Sequence, residues 1–192
     1  MKLKMLQIPS VGIIALCMAS NSFGGFMGSQ VQGTWEAYTR GSVWQGQTFT
    51  GVVGDGVEYS YRVTFDGGFA GFDLDLSETT IRLTFQFQGP SSVYFAPHDF
   101  NGWVFRDIAD QLPNFTDLSL GAHSNGISSE AGVILNVEDA NTLVMNLSNL
   151  RGASSGDWID FQVSFAPVPA PGAVAFIGLA GLLTRRRTSR DY

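Results

Sequence analysis

The stretch GASSG (152–156) has the spacing of a nucleophile elbow, with Ser154 as the acyl-transfer nucleophile. An elbow needs a strand before the serine, a helix after it and a histidine downstream. Here an alternating run starts near Trp158, and both histidines, His98 and His123, lie upstream. The context predicts a glycine/serine turn between two strands. No catalytic residue is expected in this chain.

FDLDLSE (72–78) is the next constellation. Its alternation puts Asp73 and Asp75 on one strand face with Glu78 close by, and Asp66 could join them across a turn. Hard cations such as Ca²⁺ want several such oxygens, which makes Asp66, Asp73, Asp75 and Glu78 the calcium candidates. A complete calcium loop is missing, and the same acids fit the wet face of a half-buried strand. Asp73 and Asp75 also have the make-up of a glycosidase pair, but any acidic strand offers that much.

HDFNGWVF (98–105) gathers His98, Asp99, Asn101 and Trp103. An exposed Trp beside polar groups can stack on a sugar ring, and Trp35, Trp44 and Trp103 are the candidate platforms. The competing expectation is a buried core Trp. His98 and His123 lack metal-ligand spacing. GVVGDG (51–56) runs into a strand-like segment, whereas a phosphate loop opens a helix. NFT (114–116) and NLS (146–148) match the glycosylation pattern. No metal and no cofactor is expected.

The elements that must position these residues are strands. VEYSYRVTF (57–65) and TTIRLTFQFQ (79–88) alternate apolar and polar side chains, and WIDFQVSF (158–165) does so less strictly. A period of two makes one face of a sheet dry and the other wet. Further strands are expected at 43–53, 69–75, 93–96, 102–106, 131–137 and 142–148. Turn signals separate them at 54–56, 66–68, 89–92 and 139–141. No helix-period segment of the kind a parallel sheet requires stands out, and FRDIADQL (105–112) offers a turn or two at most. The expected fold is all-β: an antiparallel β-sandwich, jelly-roll-like in order, over about 30–166.

Composition agrees with this. The 192 residues include 23 Gly and 15 Phe, the materials of turns and aromatic strands. Charge is segregated. Lys2 and Lys4 open the chain, Arg185, Arg186, Arg187 and Arg190 close it, and five arginines lie between. Of the 17 acidic residues only Asp191 lies outside that body, so 16 acids against 5 bases leave about −11 there. Phosphate backbones would repel such a surface, which argues against nucleic acid as a partner.

The two ends read as addresses. MKLKMLQIPSVGIIALCMASNS (1–22) has a basic start, an apolar stretch and small residues, the layout of a signal peptide cut after Ala19 or Ser22. Leu16 before Cys17, the single cysteine, disfavours a lipoprotein signal, and removal of the segment leaves a body without cysteine. At the other end, Pro169 and Pro171 lead into an apolar run, Gly172–Leu183, closed by Arg185–Arg187. As a helix it would reach about 18 Å, against a hydrocarbon core near 30 Å. That is a marginal span, held with its arginines on the cytoplasmic side.

Pro-rich entry, short glycine-containing apolar helix, arginine cluster and signal peptide together resemble the PEP-CTERM sorting-tail proteins. The family's Pro-Glu-Pro motif falls on Pro169, Ala170 and Pro171, with Ala170 in place of Glu, and PAPG resembles a variant subset of such tails. The resemblance covers about 167–188. It implies an exosortase-like processing enzyme as partner and a transient membrane anchor that is cut off at the surface. GVEYSY, NGWVFRDI and GDWIDFQVSF are similar to β-rich domains found ahead of such tails.

Three segments are therefore expected: a signal peptide (1–22), a β-sandwich domain (30–166) and a sorting segment (167–192). The expected function is that of an exported surface or extracellular-matrix protein, associated with exopolysaccharide and not an enzyme. The competing function is a carbohydrate-binding module, calcium-assisted in one version. An exposed aromatic patch beside carboxylates would favour the second, and buried Trp the first.

Overall fold

The computed structural model describes residues 24–40, 42–89 and 92–168, with the backbone alone at 43–45. The expected signal segment with Cys17, the sorting motif Pro169, Ala170, Pro171 and Gly172, the arginines Arg185, Arg186 and Arg187, and both flanking helices lie outside the described residues.

The described residues are nearly all β, in antiparallel sheets. In chain order the strands are β1 (Gln30–Thr39), β2 (Ser42–Val52), β3 (Val57–Phe65), β4 (Gly68–Leu76), β5 (Thr80–Gln88), β6 (Val93–Tyr94), β7 (Phe100–Arg106), β8 (Phe115–His123), β9 (Ile127–Ser128), β10 (Ile134–Asp139), β11 (Thr142–Asn146), β12 (Arg151–Gly152) and β13 (Trp158–Phe165). One five-stranded sheet has the order β10-β11-β7-β1-β2. A second runs β3-β4-β5-β13-β8, and β6-β12-β9 form a small third sheet.

Side chains from the two large sheets share one core rich in aromatic rings. Trp103 of β7 is fully buried and lies edge-on to Phe72 of β4 (5.7 Å) and Tyr59 of β3 (5.1 Å). Such edge-to-face pairs add roughly 0.5–1.5 kcal/mol each beyond the area they bury. At one side the edge strands β2 and β3 are joined by Phe49 stacked on Tyr59 (5.1 Å) and by the Tyr59 hydroxyl donating to Gln47. At the other, the Phe115 N–H of β8 donates to the Ala140 carbonyl beside β10 (2.8 Å).

The strict alternations predict their strands well. β3 and β5 occupy the expected positions, and 66–67 and 140–141 are turns. The expected dry face of β3 is only partly so: Tyr59 and Tyr61 are half-buried, while Val57, Val63 and Phe65 are exposed on this edge strand. The segment 105–112 is strand then turn, fixed by the Asp107 carboxylate, which accepts the N–H groups of Ala109 (3.3 Å) and Leu112 (2.7 Å). Two long strands fall outside the expectation. In β1 the buried positions are Val31, Gly33, Trp35 and Ala37, and two of the four are too small to read as a hydrophobic face. The room at Gly33 is filled by the Phe49 ring, which a Cβ there would meet at 2.2 Å. In β8 the pairing with β13 shifts register twice, so Phe115 and Leu118 are both buried although three residues apart. A bulge of this kind breaks the period of two on which sequence reading depends.

Candidate functional site

Gly152, at the start of the GASSG stretch, ends β12, and β13 follows at Trp158. The stretch is a turn between strands, as its context predicts. A Cβ at Gly152 would fall 2.6 Å from Phe85 Cγ, and Gly156 has φ +93, so packing and turn geometry account for both glycines. Ser154 is exposed, and its N–H donates to the Asp157 carboxylate at 2.6 Å. Asp157, only 9% exposed, also accepts the Ser124 hydroxyl at 2.8 Å and so ties two loops together. His123 Nδ1 donates to the Ser124 carbonyl (2.9 Å), and His98 Nδ1 pairs with Thr39 Oγ1 (2.8 Å). Both imidazoles are engaged away from Ser154.

The four acidic candidates do not converge. Asp66 stands at the β3–β4 turn, exposed, while Asp75 lies near the far end of β4, on the order of 20 Å along the strand at about 3.3 Å per residue. Asp73 is bound by Arg62 (2.7 Å) and by the Ser60 hydroxyl (2.6 Å). Glu78 is exposed in the β4–β5 turn. Among the described residues no three His, Cys, Asp or Glu are grouped to hold a metal. The calcium candidates are therefore not brought together: the strand is too long for Asp66 to reach the others.

The tryptophan candidates fare differently. Trp103 is fully buried and Trp35 is 7% exposed, with its indole N–H donating to Asn101 Oδ1 (3.2 Å). Trp103 therefore offers no face to a sugar from solvent, and Trp35 reaches only the floor of the aromatic cleft described below. Trp44 is the β2 residue skipped between the pairs Tyr38–Val43 and Ala37–Gln45. Its side chain lies outside the described atoms. Asn146 of the second sequon spends its amide on Asn101 N–H (3.1 Å), Ser148 N–H (3.2 Å) and the Asp99 carbonyl (3.0 Å).

What the fold does bring together is a polar surface and an aromatic cleft. On the outer face of the second sheet, Asp75, Arg82 and Asp160 stand side by side on β4, β5 and β13. Arg82 binds Asp160 through two N–H groups (2.7 and 2.9 Å) and lies over the Trp158 ring (4.3 Å). These Asp160 hydrogen bonds raise the Arg82 pKa above its ordinary value against the opposing effect of burial, and Asp75 adds to the rise. With Ser77 and Thr80 these residues line a recess of about 230 Å³. At the C-terminal end of β4, Glu58 accepts the N–H groups of Leu76 (2.6 Å) and Gly54 (3.1 Å). Burial raises its pKa, opposed by those two hydrogen bonds.

The cleft, about 310 Å³, opens between the second sheet and the segment 93–96. Its floor comes from the aligned row Tyr61, Phe72 and Phe85, with Trp35 tilted on Tyr61 at 4.7 Å. Phe95 stacks on Phe72 (5.5 Å) and meets Phe85 edge-on (6.2 Å). One step further along the sheet, Val63 and Ala70 form a wall, and Tyr94 stands on the rim under the Arg151 guanidinium (5.4 Å). Sequence reading did not single out this cleft, because Tyr94 and Phe95 belong to a two-residue strand and loop without periodicity. The Trp158–Asp160 face was legible, since both stand opposite Ile159 and Phe161 in the alternation.

No protein-family model, no curated protein and no solved structure matches this chain.

Proposed function

We propose that this chain is an exported surface or extracellular-matrix protein, sorted through its C-terminal segment and without enzymatic activity of its own. The observation that carries the reading is the layout of 169–187: two prolines and a glycine, a marginal apolar span, then three consecutive arginines. Prolines at 169 and 171 stop a helix from running back into the body, which leaves an extended segment that a protease can reach. The arginines hold the span with its C-terminus on the cytoplasmic side. The partners on this reading are the secretion machinery, an exosortase-like processing enzyme and extracellular polysaccharide, and the anchor is transient.

The body is a passenger on this reading: a β-sandwich, jelly-roll-like in order, formed by the two five-stranded sheets. Its carboxylates support a structural role. Asp73 and Asp160 neutralise arginines, while Asp107 and Asp157 hold backbone N–H groups. The test replaces Arg185, Arg186 and Arg187 by Ser and follows the protein by cell fractionation. The expected result is a folded body that is mislocalised or keeps its tail. Surface delivery at the wild-type mass would make the segment an ordinary part of the domain.

A further inference from the structure

Independently of the sorting reading, we infer that the cleft above Phe72 is a binding site for a small, uncharged, mainly apolar molecule of about one or two rings. Its volume, about 310 Å³, lies at the lower end of small-ligand pockets. That holds a ring system and is too little for a helix or strand of a partner. Among the described residues the lining contains no charged side chain.

The polar groups near the floor are already paired. Asn101, 4% exposed, accepts the Trp35 indole N–H through Oδ1 and donates from Nδ2 to the Ala96 carbonyl (3.1 Å). The Phe95 N–H donates to the Leu150 carbonyl (2.9 Å), and the Phe95 carbonyl accepts the Asn149 N–H (2.8 Å). A sugar entering this cleft would lose water from its hydroxyls and find few partners, at a cost of roughly 1–3 kcal/mol for each unsatisfied group. An apolar ring loses nothing of the kind and gains contact with the accessible apolar lining, Tyr61, Val63, Ala70 and Tyr94. The walls are fixed in advance by the ring contacts Phe72–Phe95 and Phe85–Phe95 and by the pairing of β6 with β12. A pre-formed site loses less affinity to ordering.

The test titrates the full chain with 2-naphthol and with glucose, and follows the backbone amide resonances of Gly71 and of residues 93–96. Saturable shifts with 2-naphthol, and none with glucose, are expected. Ala70→Phe fills the cleft and should weaken 2-naphthol binding by roughly tenfold or more. Tyr94→Ala, at a rim position 52% exposed, leaves the core intact and should weaken it several-fold. An unchanged melting curve for the Tyr94 variant guards against misfolding as the cause. Three results would overturn the inference: no saturable binding of 2-naphthol, saturation by glucose at the same amides, or concentration-dependent self-association that Ala70→Phe abolishes.

Discussion

If the GASSG stretch is a turn, its weight rests on Asp157 and not on Ser154. Asp157→Ala removes the acceptor of the Ser154 N–H (2.6 Å) and of the Ser124 hydroxyl (2.8 Å). Both bonds end on a charged oxygen of a side chain that is 9% exposed, so each is worth about 1.5–3 kcal/mol. Ser124 keeps one partner, because its oxygen also accepts the Trp158 N–H (3.1 Å). The net loss should be about 2–4 kcal/mol, which lowers Tm by on the order of 10 °C in a domain of this size. Asp157→Asn retains one good acceptor and should lose about half as much. Ser154→Ala touches only an exposed hydroxyl and should change Tm by less than about 2 °C. Thermal melts of the three variants by circular dichroism decide the matter. The turn reasoning fails if Asp157→Ala melts with the wild type, or if Ser154→Ala abolishes an ester- or peptide-hydrolysing activity.

Glu58 gives the pH dependence. Because burial raises its pKa in the folded state above its ordinary value of 4.5, its proton stabilises the fold below that value. The stabilisation is lost as pH rises through the folded pKa. The stability difference between wild type and Glu58→Gln, measured by urea unfolding, should therefore fall as pH rises above 4.5, and a flat difference would contradict this. Arg82→Met leaves Asp160, whose side chain is 10% exposed, without its counter-charge, while Arg82 itself is 45% exposed. The loss should be about 1–3 kcal/mol, below the range for a fully buried pair, and adding Asp160→Leu should recover most of it. Gly152→Ala pushes a methyl onto Phe85, and urea unfolding should show a loss of about 1–3 kcal/mol that Phe85→Leu partly relieves.

Where the chain alternates strictly, the sequence predicts its own strand. Ile81, Leu83 and Phe85 face inward and are fully buried, while Arg82, between them, faces out. Signals failed where tertiary packing overrode the period. Gly33 is an inner-face residue of β1 because neighbouring rings occupy the space a larger side chain would take, and Ala37 is fully buried on the same face. The candidate sites divided for a related reason. A strand pattern gives the face on which Asp73 and Asp75 stand, but not which arginine crosses to them. It tells nothing of how far Asp66 is left behind at the turn. Trp103 and Trp35 looked alike as sugar platforms and as core residues, and only their burial separates the two. The aromatic cleft was not legible because it is assembled from β1, β3, β4, β5, β7 and the segment 93–96, which meet only in the fold.

The central claim concerns the ends of the chain, and the intact mass of the protein recovered from the cell surface tests it most directly. The full chain has a mass of 20.7 kDa. The sorting account predicts a smaller species that begins after Ala19 or Ser22 and ends near the Pro169–Gly172 segment, with the apolar run and Arg185–Arg187 gone. A surface species that still carries Arg185–Arg187 and the apolar run before them would contradict it.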